Sequence, residues 1–217
     1  MVLLDLDGTL SESAPGILGS LTTALQALGL PVPAYDVMQH AVGPPFEVGL
    51  PEIGVPLEHV EQVIAGYRTV YEVTGLFETR LYDGVVDMLD ALTQAGCTLA
   101  IATSKPEVSA LRVIEHLGLA GRFKFVGGAT HEPGRRTKAE VVGHVLDRLG
   151  LVGGPEIVMV GDRNHDIEGA RHHGIDTIAV GWGYGSREEH ETAGAWAIAE
   201  TPADVVRLVL GDEAARA

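Results

Sequence analysis

From position 81 onward, short apolar runs and amphipathic stretches take turns, and no other property of the chain restricts its fold as much. Leu99 to Ala102, Phe123 to Val126, Ile157 to Val160 and Thr177 to Val180 are each of strand length, and Val2-Leu3-Leu4 adds a run almost at the initiator. Between them, apolar residues recur at helical spacing: Val85, Leu89 and Leu92; Val108, Leu111, Ile114 and Leu117; Val141, Val145 and Leu149. Gly96, Gly118 and Gly150 follow these segments, where a helix commonly ends. Thr137-Lys138-Ala139-Glu140 reads as a capping box opening the third. A short helix after Asp166, a short strand near Trp196 to Ala199 and a last helix capped by Thr201, with Pro202 in its first turn, complete this part. Strands alternating with helices imply an α/β architecture, parallel pairing with helices on both faces.

Residues 14–80 follow another rule. Ser13 is expected to cap a helix running through Pro15 to Leu28, with Ile17, Leu21, Leu25 and Leu28 on one stripe and Gly29 at its end. Pro31, Pro33, Pro44, Pro45, Pro51 and Pro56 then break the chain into short pieces around Val37-Met38 and Phe46 to Leu50. Val60, Val63, Ile64, Tyr67 and Tyr71 mark a further helix that stops near Gly75. Nothing here alternates like a strand, so this stretch is expected to form a small helical bundle.

In sheets of parallel strands, sites lie beyond the carboxyl ends of the strands. That rule gathers scattered residues. Asp5-Leu6-Asp7-Gly8-Thr9-Leu10 ends the first run, and on a strand Asp5 and Asp7 project together while Leu6 turns to the core. Two carboxylates sharing one volume need a cation or a shared proton, and Mg²⁺ prefers hard oxygen ligands. An acidic turn closing an ordinary strand is the plainer alternative. Gly8 permits a sharp turn that brings backbone amides near an anion. Thr103-Ser104 ends the second run, Lys138 opens a helix after the third, and Asp162 with Asp166, four residues apart, follows the fourth. Four carboxylates describe a hard-cation pocket, and the hydroxyl and ammonium donors beside them describe a place for a phosphate.

Composition narrows the alternatives. The net charge of −15 comes without a Lys/Arg stripe, which argues against nucleic acid and anionic membrane as partners. Cys97 is the one cysteine, so no intramolecular disulfide forms, and it reads as strand-entry packing. No apolar stretch approaches a membrane span and no basic leader precedes the first strand, so a cytoplasmic location is expected.

Asp5-Leu6-Asp7-Gly8-Thr9-Leu10, Ala102-Thr103-Ser104, Lys138, and Gly161-Asp162 with Asp166 are similar, in that order, to the four motifs of the haloacid dehalogenase superfamily, and the chain resembles its phosphatase branch over essentially its whole length. The resemblance implies a Rossmann-like, doubly wound parallel-sheet core formed by residues 1–13 and 81–217, with residues 14–80 as an inserted α-helical cap that closes over it. It implies Asp5 as the nucleophile that takes up phosphoryl and Asp7 as general acid and base. Thr103, Ser104, Lys138 and Gly8 would bind phosphate. Mg²⁺ would be held by Asp5, the Asp7 carbonyl oxygen and Asp162, with Asp166 as ligand or neighbour. The dehalogenases of the superfamily lack a residue like Asp7, which disfavours carbon–halogen cleavage. The chain resembles phosphoglycolate phosphatases and the related 5′-nucleotidase-like group, and a small phosphorylated metabolite is the implied substrate of a monomer or weak homodimer.

Two departures stand out. Many relatives carry proline after the third-motif lysine where this chain has Ala139, so Arg136 and simple helix capping compete with Lys138 for its role. Arg163 replaces the serine common after the fourth-motif aspartate and is expected to pair with an acidic neighbour. The histidines, His165 and His172-His173 among them, show no zinc spacing. The loop Gly181-Trp182-Gly183-Tyr184-Gly185-Ser186 reads either as structure or as a reach toward substrate, Tyr67 and Tyr71 fit a buried stripe, and Gly43-Pro44-Pro45-Phe46 is a rigid turn able to present a residue to a cleft. Alternatives to hydrolysis are transfer of the phosphoryl group to a sugar phosphate or a protein, and a regulatory module without turnover.

Overall fold

The computed structural model describes residues 1–43, 45–130 and 134–211. The chain separates into two compact units, Met1–Ser11 with Leu81–Ala217, and Glu12–Arg80. The first is built on a parallel sheet of β1 (Val2–Leu4), β4 (Leu99–Pro106), β5 (Val126–Ala129), β6 (Val158–Gly161), β7 (Asp176–Val180) and β8 (Ala197–Ala199), in the order β5-β4-β1-β6-β7-β8. β1 sits in the middle, with Leu3 beside Ala100 on one flank and Met159 on the other. Chain order reverses at β1, where the first crossover runs to β4 and a later one returns to β6. That is a topological switch point, and the carboxyl ends of these three strands define a crevice.

Helices flank the sheet. α5 (Val85–Gln94), α6 (Glu107–His116), α7 (Lys138–Leu149), α8 (Asn164–Arg171), α9 (Arg187–Ala193) and α10 (Pro202–Leu210) follow the strands in turn. α7 and α8 bury Val141, Val142, Val145, Leu146 and Ala170 against Leu3, Ala100, Ala102 and Met159. α5 supplies the fully buried Leu89 and Leu92 and packs on α10. Apolar burial on this scale, at roughly 25 cal/mol per Å², is what fixes the register of the strands. The capping box is present as read: Glu140 N–H donates to the Thr137 hydroxyl at 3.3 Å and Thr137 N–H to the Glu140 carboxylate at 2.8 Å.

The third long strand lies further along than the apolar run Phe123 to Val126 suggests. It occupies Val126–Ala129, so Gly127 and Gly128 are strand rather than loop. Close approach explains this. A Cβ on Gly127 would come within 2.4 Å of Val145, and one on Gly128 within 2.6 Å of the Glu107 backbone. Three residues of the following loop, at 131–133, lie outside the described residues.

In the second unit, α1 (Ala14–Ala27) packs on α4 (Val60–Tyr71), with α2 (Tyr35–Gln39) and α3 (Phe46–Glu52) between them in sequence. Ser13 occupies the N-cap position of α1, but its side chain makes no capping bond, its backbone being helical already with ψ near −5°. Tyr67 and Tyr71 are buried and stacked at 4.9 Å, and Phe46 meets Tyr67 edge-on at 4.6 Å. Pro44 lies outside the described residues. β2 (Ser11–Glu12) and β3 (Arg80–Leu81) pair as a two-stranded ribbon where the chain leaves and rejoins the sheet-bearing unit.

Candidate active site

Asp5 follows β1 directly, its N–H still bonded to the Val160 carbonyl at 2.9 Å, so the strand ladder itself sets where this carboxylate points. Leu6 is fully buried and its carbonyl accepts from Leu10 and Ser11, which folds Asp7-Gly8-Thr9 into a tight turn. Gly8 has φ +79°, and a Cβ there would lie 2.3 Å from Asp162 Oδ2. Its N–H donates to the Ser11 carbonyl at 2.8 Å, so what the structure demands of this position is the turn and the missing side chain.

The sheet and two helix starts bring the remote acids together. Carboxylate oxygens of Asp5, Asp162 and Asp166 lie within 4.8 Å of one another, and all three residues are buried. Lys138, at the first position of α7, extends its ammonium to 3.0 Å from Asp5 Oδ1 and 2.7 Å from Asp166 Oδ1. The directed hydrogen bond of that ammonium goes to the Ala102 carbonyl at 3.0 Å, so both Oδ1 atoms, though paired by proximity, have no well-aligned donor. Asp166 Oδ2 accepts from the Arg163 N–H at 3.0 Å, closing the start of α8. Both Asp162 oxygens are engaged, Oδ2 by the Tyr184 N–H at 2.8 Å and Oδ1 by the Thr9 hydroxyl at 3.2 Å. Thr103 is buried, hydrogen-bonded to Asp5, and Ser104 beside it is half-buried.

Asp7 stands apart. Its carboxylate is not in the three-acid cluster; Oδ2 meets Lys105 Nζ at 2.7 Å, and Oδ1 is without a donor. Lys105 was not among the residues singled out from the sequence. Strand alternation could have found it, since Lys105 stands two places after Thr103 on β4 as Asp7 stands two places after Asp5. A register shift in β4 between Thr103 and Pro106 accompanies this placement. Arg163 does pair with an acid: its Nε donates to Glu189 Oε1 at 2.9 Å, as does the Asn164 N–H at 2.8 Å. Thr9 of the first motif, Trp182 of the glycine-rich loop and His190, which has no signal in the sequence that can be told from ordinary packing, also lie against the site.

Electrostatics follow from burial. Desolvation raises the Asp5 carboxyl to about 6 although Lys138 pulls it down, with Asp166 pushing it up further. Desolvation, then Asp166 and Asp5, drive Asp162 well above the ordinary carboxylate range. Burial alone would lower the Lys138 ammonium, but Asp166 and Asp5 outweigh it and hold the charge. With all three clustered carboxylates ionised, one ammonium would leave two negative charges, the repulsion that helps to raise Asp5 and Asp162, while Asp7 and Lys105 cancel. One divalent cation removes that excess, and an all-oxygen donor set with unaligned Oδ1 atoms on Asp5 and Asp166 suits Mg²⁺. No helix of the described residues is long and apolar enough to cross a membrane.

The chain is 45% identical over 186 residues to the tyrosine-protein kinase PtkA of Mycobacterium tuberculosis, matching 85% of its own length but 63% of that protein's. It is 38% identical over 189 residues to a 5′-nucleotidase of Pseudomonas aeruginosa, covering 87% of this chain and 85% of that one. Among solved structures, a predicted phosphatase from Clostridium acetobutylicum superposes with a TM-score of 0.90 at 32% identity, over 96% of this chain and 97% of the other. The profile of haloacid dehalogenase-like hydrolases matches residues 2–180, the stretch that runs from β1 to the end of β7. Six parallel strands in this order, the three-acid cluster at their switch point and that match together mean that the chain belongs to the haloacid dehalogenase-like hydrolase family.

Proposed function

We propose that this chain is a Mg²⁺-dependent phosphatase that hydrolyses a small phosphate monoester through an aspartyl-phosphate on Asp5. One observation carries the reading: Asp5, Asp162 and Asp166 converge within 4.8 Å with Lys138 set between two of them. A buried carboxylate beside a held ammonium is a nucleophile whose approach to an anionic phosphate is electrostatically allowed. Asp5 attacks phosphorus, and the bond to the ester oxygen breaks as that oxygen takes a proton from Asp7, which enters the cycle protonated from solvent and out of its ion pair with Lys105. Asp7, now a carboxylate, removes a proton from water as the water oxygen attacks the phosphorus of the intermediate, returning Asp5 and releasing phosphate. Lys138, Thr103 and Ser104 bind the transferring phosphoryl oxygens, and Gly8 allows them close approach. Asp5, Asp162 and Asp166, with the Asp7 carbonyl, would hold the cation, which supplies charge neutralisation at the phosphoryl group. The 5′-nucleotidase likeness supports a small phosphate monoester as substrate. The domain division into a core of residues 1–13 and 81–217 and a helical cap of residues 14–80 belongs to the same reading.

The likeness to PtkA favours a second reading, in which an acceptor other than water, a protein tyrosine for example, takes the phosphoryl group from Asp5. A panel of phosphate monoesters assayed with Mg²⁺, with EDTA and with Asp5→Asn separates the two. Metal-dependent release of free phosphate that vanishes in Asp5→Asn is the expected result. Phosphoryl transfer to tyrosine without free phosphate supports the second reading, and turnover that persists with EDTA or in Asp5→Asn overturns both.

A further inference from the structure

The loop Gly181-Trp182-Gly183-Tyr184-Gly185-Ser186 and the helix after it make more contacts with the fourth motif than a connecting segment needs. Trp182 Nε1–H donates to the Thr9 carbonyl at 3.0 Å, and the Thr9 hydroxyl donates in turn to Asp162 Oδ1 at 3.2 Å. The Tyr184 N–H donates to Asp162 Oδ2 at 2.8 Å. His190, fully buried on α9, places Nε2 2.7 Å from the Asp162 carbonyl. A carbonyl only accepts, so Nε2 is the donor, and the buried Nδ1 has no hydrogen-bond partner. Glu189, the preceding residue, grips Arg163 and the Asn164 N–H. Carboxylate, carbonyl and the two following residues of Asp162 are thus each held by one strap of chain.

The backbone of the strap is pressed against the acid it holds. A Cβ on Gly183 would lie 2.3 Å from Asp162 Cβ and 2.4 Å from the Gly8 carbonyl oxygen. One on Gly185 would lie 1.9 Å from the Asp162 carbonyl oxygen and 2.5 Å from His190 Nε2. Real Cβ atoms do not approach that closely, so these two glycines admit the strap to a position no side chain would allow. Ser186 caps α9 by accepting from the Glu189 N–H at 3.1 Å, which orients Glu189 and His190 on the helix that follows.

We infer that residues 181–190 are a positioning element that sets the Asp162 carboxylate for the divalent cation, with Trp182 and His190 as its positioning residues. The inference rests on the metal reading above. Groups that orient a ligand typically alter metal affinity by about 10–100-fold when removed. The test is direct Mn²⁺ binding to the full chain, read from the free-ion EPR signal, for wild type, Trp182→Phe, His190→Leu and His190→Gln. Metal-free unfolding of each serves as the check on folding. Trp182→Phe keeps an aromatic ring but loses the N–H donor and part of the indole's volume; Gln keeps a side-chain N–H at the reach of His Nε2, and Leu does not. We expect Mn²⁺ to bind about 10-fold or more weakly in Trp182→Phe and His190→Leu, with His190→Gln close to wild type and the substrate KM unchanged at saturating metal. A purely structural strap would lower metal-free stability and leave the Mn²⁺ dissociation constant where it was, and that result overturns the inference while the metal reading stands. Should His190→Leu not fold, Trp182→Phe alone decides. Wild type that fails to bind Mn²⁺ overturns the metal reading and the inference with it.

Discussion

Two lysines serve the two aspartates of the first motif, and they do so in different surroundings. Lys138 is enclosed, its ammonium between Asp5 and Asp166 and bonded to the Ala102 carbonyl, with its side chain 3% exposed. Lys105, 4% exposed, pairs with Asp7 outside the three-acid cluster, and the Asp7 side chain is 13% exposed against 10% for Asp5. The enclosed group is suited to holding charge in place. The pair outside the cluster is suited to exchange on the proposed mechanism, because a residue that gives a proton to a leaving group and takes one from water cannot also be committed to the cation. The difference teaches that the two aspartates of one motif are held by separate lysines, one ion pair inside the three-acid cluster and one outside it, which is the division of labour the proposed mechanism needs.

Substitutions on the two sides should separate these roles, the largest effect coming from the exchanging residue. Asp7→Asn is expected to lower kcat by about 10²–10⁴-fold with alkyl phosphates. In a single turnover, transfer to Asp5 from p-nitrophenyl phosphate, whose leaving group needs no proton, should lose much less than transfer from an alkyl phosphate, and equal losses in that step would break the assignment. Lys138→Met should lower kcat by about 10²–10³-fold without that leaving-group dependence. It also strips a buried ion pair of its cation and should destabilise the metal-free fold by about 3–5 kcal/mol in urea unfolding. Lys105→Met is expected to lower kcat by about 10–10²-fold through misplacement of Asp7, with the same leaving-group signature as Asp7→Asn and partial rescue in Lys105→Arg.

The smallest effect concerns stability. Asp5 titrates at about 6 in the folded chain against 3.8 ordinarily, chiefly through burial. A carboxyl raised in the folded state contributes stability that is complete below about pH 4 and is lost as pH rises through about 6. Metal-free Asp5→Asn should therefore be more stable than wild type at pH 7.5, by at most about 3 kcal/mol, with the gap closing toward pH 4. A gap that widens on acidification would show that the Lys138 pairing, rather than burial, dominates at Asp5.

Sequence and structure agree most where period and chemistry coincide. Asp5, Thr103, Asp162 and Asp166 each sit where a strand-length apolar run or the turn after it ends, and parallel topology forces those ends together. The Thr137–Glu140 box located the start of α7, which is what delivers Lys138. The apolar run Phe123 to Val126 places β5 about three residues early, because two glycines hide a strand whose backbone is crowded by Val145 and Glu107. A lysine near a strand end is ordinarily a solvated charge, so Lys105 stands out only once alternation is carried along β4 to its full length beside Asp7. The bonds from Tyr184, Trp182 and His190 run through backbone atoms or to them, and a string of residue types carries no signal for those.

The most direct measurement is of the covalent intermediate. Full-length chain mixed with Mg²⁺ and a phosphate monoester labelled on the phosphoryl group, quenched in acid within one turnover and mapped by mass spectrometry, should carry a hydroxylamine-labile phosphoryl group on Asp5. The label should be absent in Asp5→Asn and should accumulate in Asp7→Asn, where hydrolysis of the intermediate is slowed. Label on another residue, or turnover in Asp5→Asn with no label trapped in wild type, would contradict Asp5 as the group that takes up phosphoryl.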